Sequence, residues 1–354
     1  PKTVLCDRTI KRTFDEIDYE TTLLNRYIVD VLRLEGVACK DWLTNKVDRS
    51  VTGRVAQQQT IGSVQLPLSD VAVVALDYSS HKGMATAIGH APVAGLVDAA
   101  SGSVLSLAEA LTNLVWAPLR DSLKAVSLSA NWMWPAKNDG ENSRLYQAVE
   151  ALSEFAIQLG INIPTGKDSM SMTQKYPNGD TVFAPGTVII SAVAEVSDIR
   201  KTVTPLLKEN PSSGLIYIDF SDGKFNLGGS SFGQITNRLG KHTPSVDNPA
   251  YFKKCFDAVQ SLITDGKVIA GHDVSAGGMI TTLLEMAFPT ENLGMKLDLT
   301  VFDTADIVQL LFSEQPAVII QTDDVAYTVD FLGEHQINFK QLGRPVNQRN
   351  IEII

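Results

Sequence analysis

KVIAGHDVSAGGMITTLLEMAF, residues 267–288, runs from an apolar strand-like stretch through a glycine-bearing loop into an apolar helix. That alternation restricts the fold more than any other feature, and it recurs along the chain. VQLPLSDVAVVALDY (64–78) is β-like, most clearly in VAVVAL, and SLSANWMW (127–134), GTVIISAVAEV (186–196), LIYIDF (215–220) and AVIIQT (317–322) read as strands. Between them lie helical patterns at 106–118, 142–160 and 250–266, and another around TADIVQLL. Strands and helices alternating in both halves predict an α/β (α+β) chain. A length of 354 residues suggests two domains, each able to bury its own core. KENPSSG (208–214), polar with Pro and Gly, reads as the seam. Ahead of all this, 13–36 has helical apolar spacing stopped by Gly36, 41–59 is a polar connector, and SSHKGMATAIGHAPVAG (79–95) reads as a loop of small residues.

Acidic residues outnumber basic ones 40 to 30, which argues against broad binding of nucleic acid or an anionic membrane. No apolar run reaches the roughly 18 residues of a membrane span. Cys6, Cys39 and Cys255 are scattered and odd in number, so no disulfide framework is expected and a reducing cytoplasm is the expected setting. Pro1 in place of Met leads us to expect a piece of a longer chain.

SLAEALTNLVWAP (106–118) raises a chemical question. The helix is almost wholly apolar, yet Glu109 and Asn113 lie at i and i+4 and project from one face. A carboxylate is costly to bury unless it is paired or bound to a metal. Asp70 beside the VAVVAL strand and Asp273 in GHDVSAGG are further acids next to apolar runs. With Glu109 and Asn113 they would make an all-oxygen site of the kind Mg²⁺ prefers when it also binds phosphates. In the same GHDVSAGG loop, Ser275 either bonds a phosphate or caps the helix, and Gly277 and Gly278 let backbone approach a ligand. His272 reads as structural. GINIPTGKDS (160–169) is not a Walker motif: five residues separate its glycines where four are needed, and Asp168 replaces the hydroxyl residue. Lys167 and Asp168 remain either phosphate and Mg²⁺ contacts or an exposed, solvated pair. DRSVTGR (48–54) offers Arg49, Thr52 and Arg54 as phosphate contacts or as a solvated connector. Neither zinc spacing nor a GxSxG elbow is present, and no cysteine sits in a setting that suggests a nucleophile.

DRSVTGRVAQQQ, LPLSDVAVVAL, GMATAIGHAPV, AEALTN, SANWMW, GKDSMSM, APGTVIISA, LGGSSF, GHDVSAGG and LLEMAF, in this order through nearly the whole chain, resemble the phosphoribosylformylglycinamidine (FGAM) synthase family. The resemblance implies an aminoimidazole-ribonucleotide-synthetase-like two-domain module, the second of two in its parent. Residues 1–41 would be linker and connecting helix, 42–204 the first α/β domain and 205–354 the second. It also implies a cytoplasmic ligase of purine biosynthesis, a glutamine amidotransferase that converts formylglycinamide ribonucleotide, glutamine and ATP to the amidine, glutamate, ADP and phosphate. Implied cofactors are Mg²⁺ and ATP/ADP, with Asp70, Glu109, Asn113 and Asp273 as metal ligands, Ser69 and Ser275 contacting nucleotide, and Lys167 and Asp168 lining the same cleft. Implied partners are the nucleotides, the ribonucleotide substrate, the first synthetase module and the glutaminase domain; the isolated piece is expected to be inactive and to pair with itself. No catalytic residue is assigned. Family members usually carry an acid where this chain has Ala276. A non-catalytic module holding nucleotide as a strut and a free-standing kinase of the superfamily are the alternatives.

Overall fold

The computed structural model describes residues 12–354 except 45, 48, 50–52 and 305. Two six-stranded sheets organise it. The first runs β1 (Val55–Gln57), β2 (Ala72–Ala75), β3 (Gly83–His90), β8 (Thr187–Val196), β4 (Ser127–Met133) and β5 (Asn162–Ser169) in spatial order. It is antiparallel except where β4 meets β5. A hairpin, β6 (Thr173–Lys175) with β7 (Thr181–Phe183), sits between β5 and β8 in the chain. The second sheet runs β10 (Val268–Val274), β12 (Ala317–Thr322), β9 (Gly214–Asp219), β13 (Phe339–Val346), β11 (Gly294–Leu297) and β14 (Ile351–Ile353).

Helix α1 (Leu24–Leu32) precedes the first sheet, and the one-turn α2 (Asp41–Thr44) follows it. Next come α3 (Pro92–Val97), α4 (Ala99–Leu114) and α5 (Glu141–Leu159). The second sheet is served by α6 (Ser231–Ile235), α7 (Pro249–Thr264), α8 (Gly278–Ala287), α9 (Ile307–Phe312) and α10 (Val325–Glu334). Caps fix the boundaries: Asp98 accepts from the Ser101 N–H at 2.7 Å to start α4, and Asn248 from Tyr251 at 3.0 Å to start α7. Gly160, at φ 75°, ends α5 in the left-handed conformation that costs glycine least.

Three stretches depart from the sequence expectation. GMATAIGH is no loop but β3, with side chains alternating buried and exposed along its length. Its small residues admit α4: a Cβ on Gly89 would lie 2.2 Å from Ala110 N and Ser106 O, so helix and strand touch through backbone. The lead-in is helical only from Thr21. Before that it has no regular secondary structure; Ile17 is buried in the second sheet's core and the Tyr19 hydroxyl donates to Asp306. NIPTGKDS, with no secondary structure expected from the sequence, forms edge strand β5.

The first sheet packs one face on α4 and α5. Its core continues without a break into α7 and into Ile216, Ile218, Val318 and Ile320 of the second sheet. The other face of the second sheet carries a separate core with α8, α9 and the lead-in residues Ile17, Tyr27 and Val31. The other face of the first sheet is bare: Val74, Met84 and Ile88 are exposed along it. Among the described residues no helix is long and apolar enough to cross a membrane.

Candidate functional site

The bare face of the first sheet ends in a cleft of about 700 Å³, lined on one side by Ser69, Asp70 and Asn113 and on the other by His272, Asp273 and Ser275. A smaller pocket of about 220 Å³ adjoins it through Ser275 and is lined by Glu109, Thr112, Ala276 and Glu314. Two sheets therefore contribute to one site, joined at the C-terminal end of β10.

At its centre Asp70, His272 and Asp273 bring one ligand atom each within 4.8 Å of one another. His272 Nδ1 lies 2.8 Å from Asp70 Oδ1 and 3.5 Å from Asp273 Oδ1, and Nε2 lies 3.0 Å from Glu285 Oε2. The Asp70 contact is off the hydrogen-bond line, so it is an ion pair rather than a hydrogen bond. Burial works against a charged imidazole, but Asp70 and Glu285 outweigh it and hold the His272 pKa well above its ordinary value. His272 is thus the internal counter-cation of the cluster. Asp273 Oδ2 accepts from Thr112 at 3.3 Å, while Asp70 Oδ2 is buried without a partner among the described residues. Burial raises the pKa of both carboxyls; for Asp273 the neighbouring Asp70 adds to it. The Glu109 carboxyl is likewise pushed well up, by burial first and then by Asp273.

Glu109 and Asn113 turn out to have a structural duty as well. Glu109 Oε2 accepts from the His90 N–H at 3.2 Å, and Asn113 Nδ2 donates to the Ile88 carbonyl at 3.0 Å. The i, i+4 pair grips the end of β3, and Glu109 Oε1 and Asn113 Oδ1 accept no hydrogen bond from the described residues. Ser69 is similarly engaged: its hydroxyl donates to the Val71 carbonyl and accepts from Gln57.

Several sequence-derived candidates are not brought here. The N–H groups of Gly277 and Gly278, expected to meet phosphate, are already taken: Gly277 donates to Glu314 Oε1 at 2.8 Å and Gly278 to the Ser275 carbonyl at 2.9 Å. Glu314 also accepts from Ser231 at 2.8 Å, so one half-buried carboxylate plugs both glycine-bearing loops. Lys167 and Asp168 lie on the exposed run of edge strand β5. Only Pro164 and Thr165 of that strand reach the cleft, and the Lys167 ammonium turns to Ser169. Arg54 donates to the Leu76 carbonyl and Arg49 to Thr60 at 3.3 Å, which pins both near the sheet edge and outside the lining of either pocket. Thr52 lies outside the described residues.

Sequence reasoning passed over Thr112, Glu285 and Glu314 and read His272 as structural. Glu285 carried a readable signal, since an acid within LLEMA breaks an apolar helix just as Glu109 does. Glu314 had none, because its role depends on loops more than thirty residues away.

The donor set is carboxylates, an amide and hydroxyls, with both imidazole nitrogens already facing acids. That fits a hard divalent cation such as Mg²⁺. Neither pocket has a Lys or Arg among its described lining residues.

Comparison with known proteins bears on both halves of the chain. A family model described as the FGAR-AT PurM_N-like domain matches residues 39–195, and one described as the AIR synthase related protein, C-terminal domain, matches 223–354. "Probable phosphoribosylformylglycinamidine synthase, chloroplastic/mitochondrial" of Arabidopsis thaliana is 47% identical over 292 residues, 82% of this chain and 20% of that protein. The Homo sapiens phosphoribosylformylglycinamidine synthase is 46% identical over 295 residues, 83% of this chain and 22% of that protein. The chain belongs to the phosphoribosylformylglycinamidine synthase family. It spans about a fifth of the length of these FGAM synthases. Among solved structures, T. maritima PurL complexed with FGAR superposes with a TM-score of 0.69 at 13% identity, covering 95% of this chain and 51% of that one. The complex of the same protein with ATP gives 0.68 at 14% identity, over 95% of this chain and 50% of that one. That likeness establishes the synthetase-like fold.

Proposed function

We propose that this chain is the second synthetase-like module of an FGAM synthase and that its cleft holds an adenine nucleotide, ATP or ADP, through Mg²⁺. The parent enzyme would activate the formamide oxygen of formylglycinamide ribonucleotide with ATP, and ammonia from glutamine would then displace phosphate. Asp70 and Asp273 would hold the cation, with Glu109 and Asn113 completing its oxygen shell, and Ser69 and Ser275 would contact the nucleotide. The observation that carries the reading is electrostatic. Asp70, Asp273 and Glu285 surround one imidazolium, Glu109 and Glu314 line the adjoining pocket, and no Lys or Arg is among the described lining residues of either. Such a site repels a bare phosphate and accepts one only behind a divalent cation.

The same feature favours a strut over a catalytic nucleotide within this module. Phosphoryl transfer relies on cationic side chains around the migrating group as well as on metal, and Ala276 offers nothing at the loop. The first synthetase module and the glutaminase domain would supply the remaining chemistry, in the cytoplasm. The bare sheet face with Met84 and Ile88 is the surface suited to the partner module.

Calorimetric titration of nucleotide-free protein with ADP and ATP tests this, with Mg²⁺ or EDTA, on wild type and Glu109→Ala. Mg²⁺-dependent binding that weakens at least tenfold in the variant is expected. Binding that ignores both Mg²⁺ and Glu109 would refute the assignment.

A further inference from the structure

Three acids line the larger cleft, Asp70, Asp273 and Glu285, and the third differs in kind from the other two. Asp70 and Asp273 belong with His272 to the cluster whose ligand atoms lie within 4.8 Å of one another, and Glu285 does not. Glu285, on α8, is turned instead to the far side of the imidazole, its Oε2 3.0 Å from Nε2. An ionised carboxylate can only accept, so Nε2 carries the proton.

That bond fixes which way the ring faces. Half a turn about the last torsion of a histidine exchanges Nδ1 for a ring carbon, and the turned ring would set a carbon against Glu285. With Nε2 held, Nδ1 points at the two aspartates, 2.8 Å from Asp70 Oδ1 and 3.5 Å from Asp273 Oδ1. The side chains of His272, Asp70 and Asp273 are only 7%, 5% and 1% exposed, so little water screens one carboxylate from the other. The nitrogen between their Oδ1 atoms offsets that repulsion and sets their spacing. Asp273 is fixed from other sides too, by Thr112 on Oδ2 and by Thr282 on its carbonyl. Asp70 Oδ2 has no partner among the described residues. Where Asp70 stands relative to Asp273 therefore answers to the ring, and the ring to Glu285.

We propose that Glu285 is a positioning residue of the cation site: without touching metal or nucleotide, it aims His272 so that Asp70 and Asp273 keep the spacing that suits a small divalent ion. The inference rests on the Mg²⁺–nucleotide reading of the cleft and adds the origin of its ion preference. Mg²⁺ takes oxygens at about 2.0–2.1 Å in near-ideal octahedral geometry, whereas Ca²⁺ accepts about 2.3–2.6 Å in flexible shells. Carboxylates held at one spacing discriminate between the two ions, and carboxylates released from it do so less.

The test is calorimetric titration of the nucleotide-free whole chain with ADP, in Mg²⁺ and separately in Ca²⁺, with melting temperature as the folding control. Wild type is expected to bind ADP more tightly with Mg²⁺. Glu285→Ala should weaken binding with Mg²⁺ by about 10–100-fold, the usual effect of removing a group that orients a metal site, and binding with Ca²⁺ by much less. Glu285→Leu, which fills the space but accepts no hydrogen bond, should behave as the alanine variant does. Glu285→Gln still offers Nε2 an acceptor and should restore the Mg²⁺ preference. Equal losses with both ions in Glu285→Ala and Glu285→Leu would reduce Glu285 to a general structural role and overturn the proposal. A glutamine variant as weak as alanine would overturn it too, because the carboxylate itself would then be the ligand. ADP binding by wild type that ignores divalent ions altogether would sink the Mg²⁺ reading itself, and this inference with it.

Discussion

Gln260 of α7 fastens the second half of the chain to the first. Its Nε2 donates to the carbonyls of Val115 and Ala117 at 2.5 and 2.9 Å, and its Oε1 accepts from the Leu119 N–H at 2.8 Å. All three backbone groups belong to buried residues where α4 runs out, so removing the amide leaves each without a partner and without water. At about 1–3 kcal/mol per buried group left bare, the total is roughly 3–9 kcal/mol, and local relaxation places Gln260→Ala near the lower end, at about 3–5 kcal/mol. That is a large share of the roughly 5–15 kcal/mol that keeps a domain folded. Gln260→Glu separates hydrogen bonding from packing. It keeps an acceptor for Leu119 and nearly the same volume, but presents oxygens to two carbonyls, so it should lose almost as much as alanine. Urea unfolding followed by tryptophan fluorescence reads the change directly, since Trp116 is buried in the clamped segment. A midpoint shift worth less than about 1 kcal/mol at unchanged slope would show that these bonds do not hold the halves together.

Gly89→Ala places a methyl against the α4 backbone; a loss of about 3 kcal/mol, read as a melting point lower by roughly 6–12 °C, is expected, and an unchanged melting point would contradict the close approach. Burial pushes the Cys255 thiol up to about 12, so iodoacetamide at mildly alkaline pH should label exposed Cys39 in the native protein and reach Cys255 only after denaturation, as peptide mass mapping would show. With Val74, Met84 and Ile88 bare on one sheet face, light scattering at micromolar concentration is expected to give the mass of a dimer, and Ile88→Lys the mass of a monomer; a monomeric wild type would count against self-pairing.

How far the molecule could be read in advance depended on the range of the forces involved. SLSANWMW and GTVIISAVAEV were legible as strands because their own alternation and branching mark them, and α5 because Gly160 and a 3.6-residue apolar rhythm bracket it. GMATAIGH was not, since its small residues answer to a helix that packs on it rather than to strand propensity. The carboxylates of the site were visible as acids stranded among apolar neighbours. Their geometry was not, because Asp70 and His272 stand about two hundred residues apart and meet only when both sheets have formed. The glycine loop misled for an instructive reason: a helix N-terminus does demand an anion, but sequence does not say whose.

Here the anion is the chain's own. By seating Glu314 on Gly277 and Ser231, the fold closes a receptor before any solute can compete for it, and an inhibitor designed as a phosphate mimic for that loop would contend with an intramolecular rival at very high effective concentration. Chemistry aimed at this module has better purchase beside Asp70, where a buried oxygen still waits for company.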